Sequence, residues 1–215
     1  DTNITFYGWD FDNDGTGDRV GGGLGIVTNL YTEPGLYSVR LSVVNLSGDT
    51  TNRLRTGYIR VCSGDGVAYV ATNGLGVWPY HTWAKASRTL QPAVDVGPNL
   101  LILVSDGTYD VSGETVLNSG TVLRGVNGAS RTIVRRTAGT TRIFNISLYQ
   151  GNVASNAVID GFTIRDANNS AVYMTVGAIR NCVFTGNAGG NYGANNMSGG
   201  VVSNCLFTGN SAVYG

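Results

Sequence analysis

At 215 residues, the chain has room for one large domain or two modest ones, each able to bury a core. Its 14 lysines and arginines balance 14 aspartates and glutamates, so no net field draws it to nucleic acid or to an anionic membrane. Charged residues make up only 13% while glycine reaches 32, and with Asn, Thr, Ser and Val filling much of the rest, this balance predicts an all-β fold of short strands joined by turns.

No apolar run approaches the ~20 residues that span a bilayer, so membrane insertion is not expected. Cys62, Cys182 and Cys205 are too few for a disulfide scaffold and lack the paired close spacing of a zinc site.

From the N-terminal side, TFYGWDFDNDGTGD (5–18) alternates apolar and polar residues into Trp9 and Phe11, then breaks into Asp, Asn and Gly. A strand entering a tight acidic loop is predicted. In LYTEPGLYSVRLSVVN (30–45), Pro34-Gly35 punctuates a turn, and alternation through Tyr37, Val39, Leu41 and Val43 predicts a strand with one buried face. A further strand is expected at TGYIRV (56–61). Asp10, Asp12, Asp14 and Asp18 form D-x-D-x-D-G-x-x-D. That pattern is the opening of a calcium loop, with Gly15 allowing the turn that converges oxygens on a hard cation. It lacks the distal Glu of an EF-hand, and Asp-rich turns also arise because Asp bonds its own backbone.

WDFDNDG, YTEPGLYSVRLSVVN and YIRV, in this order and spacing, resemble a PKD domain, an immunoglobulin-like β-sandwich common in extracellular proteins. The resemblance spans 1–63 and implies an extracellular or cell-surface location. Only eight residues precede Trp9, where the family places one or two further strands. An open sandwich edge is therefore expected, left either by missing upstream chain or for a strand from a neighbouring molecule.

The texture changes after CSGDG (62–66), and a second domain is expected over 64–215. Ala86, Leu90, Ala93 and Val94 recur at helical spacing before Gly97 and Pro98, which predicts one short amphipathic helix. NLLILVSDGTYDV (99–111) then gives a buried strand and a turn. IRNCVFTGN (179–187) and VSNCLFTGN (202–210) match almost position for position, 23 residues apart, the self-similarity of a solenoid. Aligning backwards places Ile159 on Ile179, and Leu123 on Ile159, with extra strands at TIV (132–134) and RIFNI (142–146). Two inward columns are predicted: Leu123, Ile159, Ile179, Val202; and Val126, Phe162, Cys182, Cys205. The helix, strand and turn resemble the N-terminal cap and first rung of right-handed parallel β-helix proteins of the pectate-lyase-like superfamily.

Cys182 and Cys205 are expected as neighbours in adjacent coils, either as stacked thiols or as a disulfide. Asn187 and Asn210 end equivalent strands and are expected to form a ladder capping the turn. On the outside, Arg124, Asp160 and Arg180 alternate in sign as an ion ladder. Thr163, Val183 and Leu206 form a column that becomes apolar and is a candidate contact surface. The sequons at Asn3, Asn45, Asn145, Asn168 and Asn196 are candidate glycosylation sites.

The superfamily resemblance implies polysaccharide cleavage, yet no catalytic set is legible in this chain. Asp95, Asp106, Asp110, Glu114, Asp160 and Asp166 are scattered, and His81 lies in the aromatic cluster VWPYHTW. The expected function is an extracellular structural or adhesive surface protein that forms filaments or a surface layer, with calcium as a candidate cofactor. Its expected partners are copies of itself, neighbouring domains of a longer chain, or polysaccharide. The alternative is a polysaccharide lyase or hydrolase, or a non-catalytic glycan-binding β-helix. The chain stops inside a coil, so an open solenoid end is expected, left by truncation or used for end-to-end stacking.

Overall fold

The computed structural model describes residues 3–148, 155–188 and 193–212. Residues 1–2 and 213–215, on which the expectation of two open ends bears, lie outside that set. The chain is nearly all β with one short helix, and it divides into two units, Asp1–Ser63 and Gly64–Gly215.

In the first unit, β1 (Ile4–Asp10), β2 (Arg19–Gly21), β3 (Gly35–Asn45) and β4 (Thr50–Val61) form one antiparallel sheet in the order β2-β1-β3-β4. The β3–β4 hairpin closes through Gly48, whose φ of 84° suits glycine, and through the Asn45 side chain, which accepts from the Asp49 amide. Register pairs Trp9 with Leu41 and Tyr7 with Val43, so the aromatic and aliphatic residues share one face. A two-sheet sandwich was expected; among the described residues there is one sheet. The face carrying Tyr37, Val39, Leu41 and Val43 is accordingly half-buried instead of buried. TGYIRV is not a separate strand but the end of β4. Gly57, at φ 57°, marks a bulge where its amide donates to Ser38 Oγ at 3.0 Å, and the break in alternation there mimics a strand start.

The second unit begins with β5 (Val67–Val70) and α1 (Leu90–Val94). The helix is shorter than predicted: Ala86 is buried ahead of it, and Pro92 is confined to a first turn where its missing N–H costs nothing. Successive coils come next. The first is β6 (Leu101–Val104), β7 (Gly107–Val111) and β8 (Thr115–Val116). The second is β9 (Val122–Gly125), β10 (Thr132–Arg136) and β11 (Phe144–Ile146). The third is β12 (Val158–Asp160), β13 (Thr163–Arg165) and β14 (Val172–Met174). The fourth is β15 (Ala178–Arg180), β16 (Val183–Thr185) and β17 (Asn195–Met197). Last come β18 (Val201–Ser203) and β19 (Leu206–Thr208). Each of the first four coils gives one strand to each of three parallel sheets, with β5 added to the first and the last coil adding to the first two: β5-β6-β9-β12-β15-β18, β7-β10-β13-β16-β19 and β8-β11-β14-β17. This is a solenoid-like stack.

Inward columns hold the core. Ala68, Ile102, Leu123, Ile159, Ile179 and Val202 stack in the first sheet, and Tyr109, Val134, Ile164, Phe184 and Phe207 in the second. Phe184 and Phe207 lie parallel, 4.7 Å between ring centroids. The column predicted through Val126 needs correction. Val126 is 46% exposed, in a turn that bulges from the stack between β9 and β10. Register pairs Ile133 with Thr163, so Thr132, fully buried, occupies the level of Phe162.

Chain reversal between the sheets uses left-handed backbone at repeating places. Gly161, Asn181 and Asn204 precede the second sheet with φ of 81°, 54° and 49°. Asn tolerates that region because its short amide bonds locally; Asn204 Nδ2 donates to Asn181 Oδ1 at 2.6 Å, and Asn181 Nδ2 to Asp160 Oδ1 at 2.7 Å.

Candidate functional site

Three features stand out from the framework: the acidic loop of the first unit, the outward face of the third parallel sheet with its bordering corner, and the cysteine pair.

The loop after β1 is shaped by its own carboxylates. Asp10 accepts from the amides of Asn13 (2.6 Å) and Gly15 (3.1 Å), and Asp18 accepts from the Phe11 amide (2.6 Å). Asn13 and Gly15 are left-handed. The result brings carboxylate oxygens of Asp10, Asp12 and Asp18 within 4.8 Å of one another, Asp10 buried and the other two exposed. Asp14 is not in this group; its Oδ1 accepts from the Thr16 amide at 2.7 Å. Beside the loop, Tyr31 and Tyr37 pack at 4.4 Å, their hydroxyls donating to the carbonyls of Phe11 and Glu33. The two tyrosines of the YTEPGLY motif thus brace the turn into β3. A cavity of about 410 Å³ opens on the apolar face, lined in part by Trp9, Phe11, Val27, Val39 and Tyr58.

In the second unit, acidic groups pair with arginines, most of them one coil away and Asp166 with its chain neighbour. Asp160 Oδ2 lies 3.2 Å from Arg124 Nε and 3.3 Å from Arg180 Nε. Asp110 lies 2.6 Å from Arg135, whose hydrogen bond holds its carboxyl below the usual carboxylate range. Asp106 meets Arg131 at 3.8 Å, Glu114 meets Arg142 at 3.4 Å, and Asp166 meets Arg165 at 3.4 Å. Asp95 accepts from Gln91 Nε2 at 2.7 Å. His81 is partly buried beside the Tyr69–Trp83 pair, whose centroids are 4.6 Å apart.

Sequence reasoning missed one constellation. On the outward face of the third sheet, Val116, Asn145, Tyr173 and Asn196 stack in register. The Arg142 guanidinium lies 4.5 Å over the Tyr173 ring, and Glu114 accepts from Arg142 and from Asn145 Nδ2. Asn145 Oδ1 is buried without a hydrogen-bond partner. Nearby Arg136 is 6% exposed, bonded through the carbonyls of Ala138 and Arg142; burial pulls its pKa down, Glu114 opposing.

At the corner after the second sheet, Asn187 is fully buried; its Oδ1 accepts from the Ala167 amide (3.1 Å), and its Nδ2 donates to the Ile164 carbonyl and to Asn210 Oδ1 (both 2.9 Å). Asn210 Nδ2 repeats the contact with Phe184 O one coil on. Cys182 is buried and Cys205 half-buried, both as free thiols. Thr163, Val183 and Leu206 stack in register on the outward face of the second sheet below Ile133, with Leu206 57% exposed. Of the sequon asparagines, Asn3 and Asn168 are exposed. Asn45 is tied to Asp49 and Asn145 to Glu114, and Asn196 lies within β17. No helix among the described residues is long and apolar enough to cross a membrane.

No family model, no curated protein and no solved structure matches this chain.

Proposed function

We propose that this chain is an extracellular structural or adhesive surface module. It comprises a PKD-like domain and a right-handed parallel β-helix of the pectate-lyase-like kind, which serves as a stiff rod. Copies of the chain, or neighbouring domains of a longer one, are its partners. The observation that carries the reading is the commitment of acidic groups in the coil stack to arginines of the same stack: Asp106, Asp110, Glu114, Asp160 and Asp166 each face a guanidinium. A general acid needs a carboxyl that holds its proton near neutral pH, and the hydrogen bond from Arg135 that holds the Asp110 carboxyl below the usual range works against that. Repeated between coils, the pairs other than Asp166–Arg165 link one coil to the next. Right-handedness is supported by the strong preference of parallel strand crossovers for that hand.

Calcium fits Asp10, Asp12 and Asp18. Two oxygens on one Ca²⁺ at 2.3–2.6 Å lie at most ~5 Å apart, which matches the 4.8 Å spread of the three carboxylates. The ion would offset the mutual repulsion of three carboxylates and stiffen the loop after β1.

Electron microscopy of the secreted protein, with and without a chelator, tests the reading. Ordered fibres or sheets are expected, lost on chelation where calcium supports the contact. Isolated rods that release reducing ends or unsaturated products from a polysaccharide panel would overturn it. A second reading, glycan binding along the coil stack, is favoured by Tyr173 with Asn145, Asn196 and Arg142 on one outward face; retention on immobilised polysaccharide, lost in Tyr173→Ala, would favour it.

A further inference from the structure

Cys182 and Cys205 are held at the same level of adjacent coils from both sides. Arg180 pairs with Ser203 before them, and Val183 with Leu206 after them. The Leu206 amide donates to the Cys182 carbonyl at 2.9 Å. Each cysteine follows a left-handed asparagine, Asn181 or Asn204, so the two side chains leave the backbone at equivalent points of equivalent corners. Each thiol also makes the same local contact, with the carbonyl two residues back, Arg180 O or Ser203 O, at 3.2 Å. Parallel strands stack ~4.8 Å apart, inside the ~4.4–6.8 Å Cα range that a disulfide accepts.

We propose that Cys182 and Cys205 are a cross-coil oxidation site, a dithiol that a small-molecule disulfide converts into a covalent staple between the fourth and fifth coils. The site rests on strand register and is independent of the functional reading above. Cys205 is the attacking sulfur because it is half-buried where Cys182 is 1% exposed. When the Cys182 thiol turns from the Arg180 carbonyl to face the Cys205 sulfur, it favours the Cys205 thiolate and pulls its pKa down to about 6, while the same contact and burial push Cys182 up. The Cys205 thiolate attacks one sulfur of oxidised glutathione, forming a mixed disulfide and expelling one glutathione thiolate. Cys182 then loses its proton and attacks the Cys205 sulfur, expelling the second glutathione. Two protein thiols are oxidised, one glutathione disulfide is reduced to two glutathione thiols, and both protons leave with them.

The test uses the full chain with Cys62→Ser, so that the pair supplies the only thiols. After incubation with oxidised glutathione under native conditions, the intact mass is expected to fall by two hydrogen atoms, with both thiols lost to alkylation. Trypsin leaves both cysteines on one peptide, because no Lys or Arg follows Arg180. Chymotryptic cleavage after Phe184 is therefore needed, and should yield two peptides joined through Cys182 and Cys205 until dithiothreitol separates them. Cys205→Ser should leave Cys182 free and lose the mass shift, and the oxidised form should melt several degrees above the reduced one. Full alkylation of both thiols in the oxidised, folded protein would overturn the proposal. So would a glutathione adduct on Cys205 that never resolves.

Discussion

Replacing Asn187 with Ala tests whether the corner ladder stabilises the coil stack. The side chain is fully buried, and its truncation strips the side-chain partner from the Ala167 amide and one of two bonds from the Ile164 carbonyl, which also lies in the β13–β16 ladder. A buried polar group left without a partner costs ~1–3 kcal/mol and a single lost hydrogen bond ~0.5–1.5 kcal/mol, so the two together give ~1.5–4.5 kcal/mol. The control is Asn168→Ala, which removes one exposed bond to Gly139 O and should stay within ~0.5 kcal/mol. Chemical denaturation followed by circular dichroism reads the total. Hydrogen exchange at the Ala167 amide reads the local event, and matters because a solenoid can open coil by coil. Asn187→Asp keeps the acceptor, removes the donor and buries a carboxyl that prefers to stay protonated. With its folded pKa raised, that variant is most stable below the unfolded carboxylate range and loses stability as pH rises through the folded value. An Asn187→Ala protein that unfolds with wild-type stability and keeps the Ala167 amide protected would refute the argument.

Phe144→Ala empties a fully buried site beside Phe162, 6.4 Å between centroids, and should cost ~3–5 kcal/mol in denaturant unfolding, whereas the exposed Leu206→Ala should be near neutral in this chain. Asp160→Asn keeps the shape but discharges the contact with Arg124 and Arg180, whose side chains are 43% and 42% exposed. The loss should be on the order of 1 kcal/mol at low salt and fade in 1 M salt. One residue inserted between Asp160 and Thr163 should shift every later strand and lower the melting temperature sharply. The same insertion near Val126, in a turn outside the register, should change it little.

The sequence disclosed the solenoid because residues of like kind recur at nearly constant spacing: 20 residues separate Phe162 from Cys182, and 23 separate Asn187 from Asn210. It failed where the spacing breaks. The 36-residue interval between Arg124 and Asp160 hides a bulging turn, and the interior position it displaces is Thr132, a polar residue that hydrophobic alignment passes over. The acidic loop illustrates a different limit. Spacing nominated four aspartates, but which of them converge depends on left-handed backbone at Asn13 and Gly15, and that turn directs Asp14 to the Thr16 amide. Glu114, Arg142 and Tyr173 come from coils of unequal length, so no fixed offset aligns them.

The unequal lengths have a physical order. Between the first and second sheets the last three corners are alike, Gly161-Phe162, Asn181-Cys182 and Asn204-Cys205: a left-handed residue, then one turned toward the core. Between the second and third sheets the connections run 112–114, 137–143, 166–171 and 186–194. Variation gathers at the two corners that border the third sheet, since the connections from it to the first sheet run 117–121, 147–157, 175–177 and 198–200; the corner after the second sheet differs in having its start anchored in the later coils, Asn187 fastening the Ala167 amide and Asn210 fastening the Asn187 amide. With its start anchored, such a connection can change length without shifting the strand register. In a solenoid, the face that collects insertions is the one free to acquire a partner. Glu114 lies in one of these connections and Arg142 in the next, beside the Tyr173 column. A ligand or neighbouring molecule that reads this stack is therefore expected to read it at that corner, whereas the arginine–carboxylate ladders on the strand faces hold successive coils together.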